Sequence, residues 1–334
     1  MNKKAQISSV FSYIMGIVIG GIVLIFFIGF AYQFLSFAGG LNAAETVNAL
    51  NDQIAAFSVS ESAEMSMSSI SSLDFTMTEG KITTDGQSKQ VDHIIFSPFQ
   101  IKGKGSEVIL ATKSFELPYR ITNLFYLADG KTVYVFVYDS TTEEVAKELT
   151  ESYNALPKNF PSYSFSITQV SSNIDELVEI TAQYDQVKFI FLTSYDEVLS
   201  DIQDSFSNYE ILSVDSSIED YSYGKIEFPD GEEEIYMGYP LLIGAIVSED
   251  VESYQYNLDL VFEKLSIVTG VYYDKARFVS SKLPTCEYDT VKTSLGSYYS
   301  FVSEDVNSYT SFETKIEKLD DSNNALGGDC PEVY

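Results

Sequence analysis

The longest apolar stretch of the chain lies close to its N-terminus. Residues 10–37 contain no Asp, Glu, Lys or Arg. A helix of about 20 apolar residues is long enough to cross the roughly 30 Å hydrocarbon core of a bilayer. The pattern therefore predicts a transmembrane helix over 10–37, preceded by a short cytoplasmic segment over 1–9, and it makes the lipid bilayer an expected partner.

The distribution of basic residues around this apolar stretch predicts its orientation. Lys3 and Lys4 precede it, and the next basic residue is Lys81. Basic residues are retained on the cytoplasmic side. We therefore expect a single-pass protein of the cell membrane, with the N-terminus in the cytoplasm and the bulk of the chain outside.

Two glycines inside the stretch have a spacing that favours helix association. Gly16 and Gly20 form a G-x-x-x-G pattern, which lets two helices approach closely in lipid. A homo-oligomer through the transmembrane helix is one expectation. The alternative is that these glycines are ordinary, because glycine is common in membrane helices.

A helical pattern follows the apolar stretch. Val47, Leu50, Ile54 and Phe57 recur at steps of three and four, which predicts one apolar face of a helix. We interpret residues 38–75 as a helical stalk whose later, Ser-rich part is a loose linker.

Residues 76–248 show the pattern of a mixed α/β domain. Short β-like runs separated by turn signals extend to about residue 130 and predict an antiparallel set of strands. Strand and helix patterns then alternate as βαβαβαβ, at about 133–138, 145–156, 163–167, 174–184, 187–192, 198–206 and 209–214. This order predicts a parallel or mixed sheet with helices on its faces. A hairpin over 221–237 and an apolar strand over 241–247 complete the domain.

Three sequence patterns predict where the helices of the block begin. Each has a capping residue followed three positions later by Glu, which is typical of a capping box. They are Ser140 with Glu143, Asn173 with Glu176, and Ser194 with Glu197.

Acidic side chains fall near the carboxyl ends of the predicted strands. Asp139, Asp196 and Asp215 follow three of them, with Thr193 and Ser194 close by. Ligands bind at such strand ends in open α/β sheets, and carboxylates suit Mg²⁺ or Ca²⁺. A ligand or cation site is therefore one hypothesis, and helix capping with solvated turns is the alternative.

The C-terminal part of the chain has a long helical periodicity. Apolar residues over 249–322 step by three and four with one break near Pro284, which predicts a hairpin of two long helices. The tail, 323–334, contains Cys330. We predict a disulfide between Cys286 and Cys330 that ties the tail down, since an extracytoplasmic domain favours one. The alternative is two reduced thiols.

Charge and missing motifs exclude several functions. The chain has 49 acidic and 20 basic residues and a net charge of −29, which disfavours nucleic-acid binding. Such acidity fits either a salty medium or divalent cations near the surface. There is one histidine, and P-loop, H-E-x-x-H, C-x-x-C and G-x-S-x-G patterns are absent from the sequence. We predict no cofactor, no resident metal and no enzymatic activity.

A short motif at the N-terminus has a recognisable counterpart. Lys4-Ala5-Gln6-Ile7 stands directly before the apolar stretch. This arrangement resembles the class III signal and N-terminal helix of archaeal type IV pilin-like surface proteins, over about 30 residues. The resemblance implies cleavage between Ala5 and Gln6, with the apolar helix retained as an anchor or assembly stem.

The expected fold is therefore α+β or α/β, with one transmembrane helix, a helical stalk, a mixed sheet and a C-terminal helical hairpin. The expected function is that of a membrane-anchored cell-surface protein of structural or interaction type, which binds an unknown protein partner. The alternative is an extracytoplasmic ligand-binding or sensory module that uses the strand ends of the α/β block.

Overall fold

A computed structural model describes most of the chain after the N-terminal region. The described residues are 43–67, 74–84, 87–102, 107–152, 156–216, 221–302, 309–326 and 330–334. The predicted transmembrane helix over 10–37, with Gly16 and Gly20, lies outside them, as do the predicted processing positions Ala5 and Gln6.

The structure corrects the predicted fold class and the predicted single-pass membrane location. Within the described residues, no helix is both long and apolar enough to cross a membrane. The longest one, Val251–Lys282, has the length, but charged residues such as Glu252, Asp259 and Glu263 recur along it. What the structure describes is an α+β protein with mixed sheets and a C-terminal helical region.

The elements are numbered here in chain order. The strands are β1 (Ser62–Met67), β2 (Asp74–Thr78), β3 (Lys81–Thr84), β4 (Gln87–Gln90), β5 (Ile94–Phe96), β6 (Gln100–Lys102), β7 (Val108–Glu116), β8 (Arg120–Asp129), β9 (Thr132–Tyr138), β10 (Ser162–Ser166), β11 (Gln186–Phe191), β12 (Tyr209–Asp215), β13 (Tyr223–Glu227) and β14 (Glu233–Met237). The helices are α1 (Ala43–Phe57), α2 (Glu143–Glu151), α3 (Ile167–Ser172), α4 (Ile174–Thr181), α5 (Leu199–Ser205), α6 (Gly238–Val247), α7 (Val251–Lys282), α8 (Tyr288–Val302) and α9 (Tyr309–Asn324).

The described strands form three sheets. The first sheet has the order β1-β7-β8-β5, the second β10-β9-β11-β12-β13-β14, and the third β4-β3-β2-β6. The strands expected between residues 80 and 130 belong to the first and third sheets, and all their pairs are antiparallel except β5 with β8, which is parallel.

The N-terminal elements pack on the domain instead of leading away from it. Val47, Leu50 and Ile54 of α1 are buried in a cluster with Met77 and Ile82 of the third sheet. The predicted helical face is therefore present, but it covers a sheet and does not form a free stalk. β1 lies where a loose linker was expected, and it pairs with β7 along its full length.

The alternating block folds as its pattern predicts. β10, β9, β11 and β12 are parallel neighbours, and Val135 in β9 pairs with Tyr163 on one side and Phe189 on the other. β13 and β14 extend the same sheet as the predicted antiparallel hairpin. Helices α2 to α5 connect the parallel strands, because a connection between parallel strands needs a crossover.

None of the three predicted capping boxes forms. α2 begins at Glu143 with Thr142 at its N-cap, α5 begins only at Leu199, and Asn173 makes no side-chain cap bond at α4. The capping box that does form joins Ser166 and Gln169 at α3. The helices were predicted from their apolar spacing, whereas their starts depend on turns that the motif alone does not specify.

The predicted strand over 241–247 is wrong, because these residues belong to α6. Every residue from Leu241 to Val247 is buried, and α6 packs between the first sheet and the β13–β14 hairpin. A short run of apolar residues without polar ones shows neither the period of a helix nor that of a strand. Gly244 lets the ring of Phe96 come close, since a Cβ there would lie 2.8 Å from it.

The C-terminal region contains three described helices in place of the two-helix hairpin. α7 packs on α8 and α8 on α9. The predicted disulfide is present between Cys286 and Cys330, with an S–S distance of 2.06 Å. It fastens the tail next to Tyr288, whose hydroxyl donates a hydrogen bond to the carbonyl of Pro331.

Candidate functional site

The parallel part of the second sheet contains a topological switch point. The chain leaves β9 for β10 on one side and then returns to β11 on the other side of β9. Ligands in open α/β sheets bind in the crevice outside the carboxyl ends of the two strands at such a point. In this sheet, Asp139 follows the end of β9 and Thr193 lies just after the end of β11.

The carboxylate of Asp139 is engaged on both oxygens. Its Oδ1 accepts hydrogen bonds from the amide N and Oγ1 of Thr141, at 2.7 and 2.6 Å, and from the amide N of Thr142 at 3.2 Å. Its Oδ2 accepts a 2.7 Å bond from Oγ1 of Thr193. The hydroxyl bonds from Thr141 and Thr193 lower the pKa of Asp139 from 3.8 to about 2.

A tyrosine lies beside the same crevice. Tyr221 Oη donates to the carbonyl of Leu192 at 3.4 Å. Burial raises the pKa of Tyr221, and the charges of Asp215 and Asp139 raise it further. Interactions within the protein therefore engage the polar groups at this crevice, and Asp139 joins the ends of β9 and β11.

The other predicted acidic residues do not converge on Asp139. Asp215 ends β12 and acts on Tyr221, whereas Asp196 lies before α5 beside Tyr195. Across the residues that the structure describes, no group of three or more His, Cys, Asp or Glu side chains is arranged to hold a metal ion.

A separate cleft lies along α5, the second sheet and the β13–β14 turn. It has a volume of about 490 Å³. Its polar side chains include Gln203, Ser213 and Glu227, and Tyr195 lines it as well. Burial raises the pKa of Tyr195, and the charges of Glu227 and Asp196 raise it further. The sequence did not predict this cleft, because its residues come from five separate elements or turns.

An exposed apolar face runs along the C-terminal half of α7. Ile267, Val271 and Phe278 are 60, 64 and 63% exposed. At 100° per residue they fall within about 40° of one another around the helix axis. We call these three residues the α7 stripe. The apolar spacing of the sequence predicted the buried face of this helix, whereas the stripe occupies the opposite side.

Basic residues surround the α7 stripe. Between residues 263 and 282 the helix carries four basic side chains, Lys264, Lys275, Arg277 and Lys282, against the acidic Glu263 and Asp274, and Asp274 pairs with Arg277 at 3.3 Å. The ammonium group of Lys282 lies 5.5 Å from the ring centroid of Phe278. This local excess of positive charge contrasts with a chain whose net charge is −29.

No protein-family model, curated protein or solved structure matches the chain.

Proposed function

We propose that this chain is a non-enzymatic interaction protein that binds an acidic protein partner through the α7 stripe. Exposed apolar side chains grouped on one face typically mark interaction surfaces. The exposure of Ile267, Val271 and Phe278 on a single face of α7 is the observation that carries the proposal.

The stripe is held on a rigid support. On its other side, α7 is buried through residues such as Leu265 and Ala276, and Thr269 accepts a 2.5 Å hydrogen bond from the hydroxyl of Tyr119. A preorganised surface loses little conformational freedom when it binds. The support therefore favours a docking role for the stripe.

The charges around the stripe favour an acidic partner surface. Four basic side chains against two acidic ones give residues 263–282 a positive balance. Complementary charge increases the association rate and selects among partners. An apolar surface bordered by carboxylates is the chemistry that fits.

The hydrogen bonds at the switch point favour a non-enzymatic role. Asp139 accepts hydrogen bonds on both of its oxygens within the protein, which fits a structural role for this residue.

Site-specific photocrosslinking tests the proposal. A photoreactive amino acid at position 271 should give one dominant crosslinked species in cells, identified by mass spectrometry as an apolar, acidic peptide. The same group at Asp259, on another face of α7, should not. Replacing Ile267 and Phe278 by Ser should abolish the crosslink, and equal crosslinking from positions 271 and 259 would contradict the proposal.

The cleft beside α5 supports a second candidate, a small-molecule-binding module. Its volume of about 490 Å³ is within the range of ligand pockets. Gln203, Ser213 and Glu227 supply convergent polar groups there. An NMR screen of a ligand library tests this candidate. Compounds that bind the wild type should no longer bind the Gln203→Ala variant, and a screen without such compounds would contradict the candidate.

A further inference from the structure

A second cleft, between α8 and α9, differs chemically from the rest of the surface. It has a volume of about 490 Å³. Its lining residues are Ser294, Ser297, Ser311, Thr314, Lys315 and Lys318. Four hydroxyl groups and two ammonium groups therefore surround one space, and none of the described residues that line it is acidic, although the chain has 49 acidic residues.

The two lysines are not neutralised by nearby carboxylates in the described structure. Arg120, Lys131, Lys147, Lys188, Lys225, Arg277 and Lys292 all have a carboxylate within 4.0 Å. Among the residues described, Lys315 and Lys318 form no such pair. Lys315 instead donates a 3.2 Å hydrogen bond to Oγ of Ser297 and lies 5.1 Å from the ring centroid of Phe301. An ammonium group has three donors, so Lys315 retains capacity for an acceptor in the cleft.

Ser294 supplies an independent indication of a ligand. The residue is only 5% exposed, and its hydroxyl is buried without a hydrogen-bond partner among the described residues. Buried side-chain hydroxyls nearly always have a partner, so each exception calls for one. The Oγ has less than 1 Å² of accessible surface, so an oxyanion in the cleft provides that partner only after the side chain rotates about χ1.

We propose that the α8–α9 cleft binds a tetrahedral oxyanion of the phosphate or sulfate class. Two ammonium groups match its charge, and the hydroxyls of Ser294, Ser297 and Ser311 can donate to its oxygens. Charge-assisted hydrogen bonds of this kind are the strong ones. A cation would be repelled, and a neutral ligand would leave both ammonium groups uncompensated. The site is distinct from the α7 stripe, and the two proposals stand or fall separately.

Phosphate titration of the whole chain tests the site. Binding of inorganic phosphate is followed by NMR and by thermal unfolding, with sodium chloride used to hold ionic strength constant. The wild type should show saturable shifts and a rise in Tm. Lys315→Gln/Lys318→Gln should bind phosphate at least about tenfold more weakly, as expected when charge-assisted bonds are lost. The control Lys81→Gln/Lys158→Gln removes two exposed lysines elsewhere and should bind like the wild type.

The Ser294→Ala variant separates a ligand site from a structural one. Without phosphate it should unfold at the same Tm as the wild type or higher, because it removes a buried hydroxyl that has no partner. With phosphate its gain in Tm should be smaller than that of the wild type. The proposal is overturned if phosphate has no saturable effect on the wild type, or if Lys315→Gln/Lys318→Gln keeps the wild-type affinity.

Discussion

The ammonium group of Lys188 donates a 2.8 Å hydrogen bond to the carbonyl of Ser248. Lys188 is in β11 and is only 2% exposed, and Ser248 is the C-cap of α6. The same ammonium forms a 3.0 Å ion pair with Glu210 of β12. A carboxylate and the negative end of a helix dipole therefore compensate this buried charge. The contact joins the second sheet to the helix that packs on the first sheet.

Replacing Lys188 by Met should lower the free energy of unfolding by about 3 kcal/mol. Removing one partner of a buried pair leaves the other without compensation. Here Glu210 would keep only the 2.6 Å hydrogen bond from Nε2 of Gln186. Urea denaturation measures the change. The double variant Lys188→Met/Glu210→Leu should recover part of the loss, because both charges are then absent.

The control for this prediction is the exposed pair of Lys225 and Glu233. Their charged groups are 2.9 Å apart, but both side chains are about half exposed. Exposed ion pairs contribute about 0–1 kcal/mol. Lys225→Met should therefore change stability by less than about 1 kcal/mol, and equal losses for Lys188→Met and Lys225→Met would contradict the burial argument.

Two glycines in helices should respond to alanine in opposite directions. A Cβ at Gly244 of α6 would lie 2.8 Å from the buried ring of Phe96. Because that ring is enclosed, Gly244→Ala should destabilise the protein by about 1–3 kcal/mol through overpacking.

A Cβ at Gly270 of α7 would meet the ring of the partly exposed Tyr299, with Cε2 at 3.4 Å and Cδ2 at 3.9 Å. Alanine is the better helix former by about 1 kcal/mol, so Gly270→Ala should be stabilising. Thermal unfolding of both variants measures the two signs. Destabilisation by Gly270→Ala would show that this part of α7 packs more tightly than its geometry indicates.

The fold could be predicted from the sequence where apolar periodicity extends over several turns or strands. The prediction of the β9–β12 block was confirmed, because strand and helix patterns alternate there in the sequence. The predicted disulfide was confirmed as well, and only one pairing was possible because the chain has two cysteines. α6 was missed because it is buried on all sides and therefore has no polar face. Apolar residues continue at helical steps from α8 to α9, so the pattern predicted one helix where the structure describes two.

The sites were less predictable than the fold. Asp139 and Thr193 were expected at the same edge, and the structure brings them together. The hydrogen bonds from Thr141 to Asp139 depend on a turn conformation that residue spacing does not specify. The α8–α9 cleft depends on which helix faces meet, and Lys315 and Lys318 resemble ordinary surface lysines in the sequence.

Removing the disulfide should destabilise the protein while leaving the tail partly attached. The Cys286–Cys330 bond closes a loop with a sequence separation of 44. A loop of this length corresponds to about 4 kcal/mol in the chain-entropy model. The amide of Val333 still donates a 2.8 Å bond to Asn323, and Tyr334 still packs on Tyr119.

Cys286→Ser/Cys330→Ser should therefore lower the midpoint of unfolding and increase hydrogen exchange at the amides of residues 330–334. The amides of β9 and β11 should exchange as in the wild type under native conditions. Unchanged stability of the variant would mean that the noncovalent contacts alone hold the tail.

Because of Asp139, the free energy of unfolding should decrease as the pH is lowered through the acid range. Its pKa is about 2 in the folded protein and 3.8 without the hydrogen bonds, chiefly those from Thr141 and Thr193. The unfolded chain therefore binds a proton at a higher pH than the folded chain does. The contribution of this carboxylate is complete above about pH 4 and is lost as the pH falls towards 2. After allowance for solvent screening it amounts to about 1 kcal/mol.

Thr193→Val removes the 2.7 Å bond to Oδ2 and should raise the pKa of Asp139, which carboxyl ¹³C NMR measures directly. Asp139→Asn should flatten the decline in stability between pH 4 and 2, and Asp204→Asn controls for the loss of one exposed carboxylate. Because Asp139 joins the ends of β9 and β11, its protonation should increase hydrogen exchange first at the residues that follow these two strands. Exchange that increased first at the distant α8 and α9 helices would contradict this assignment.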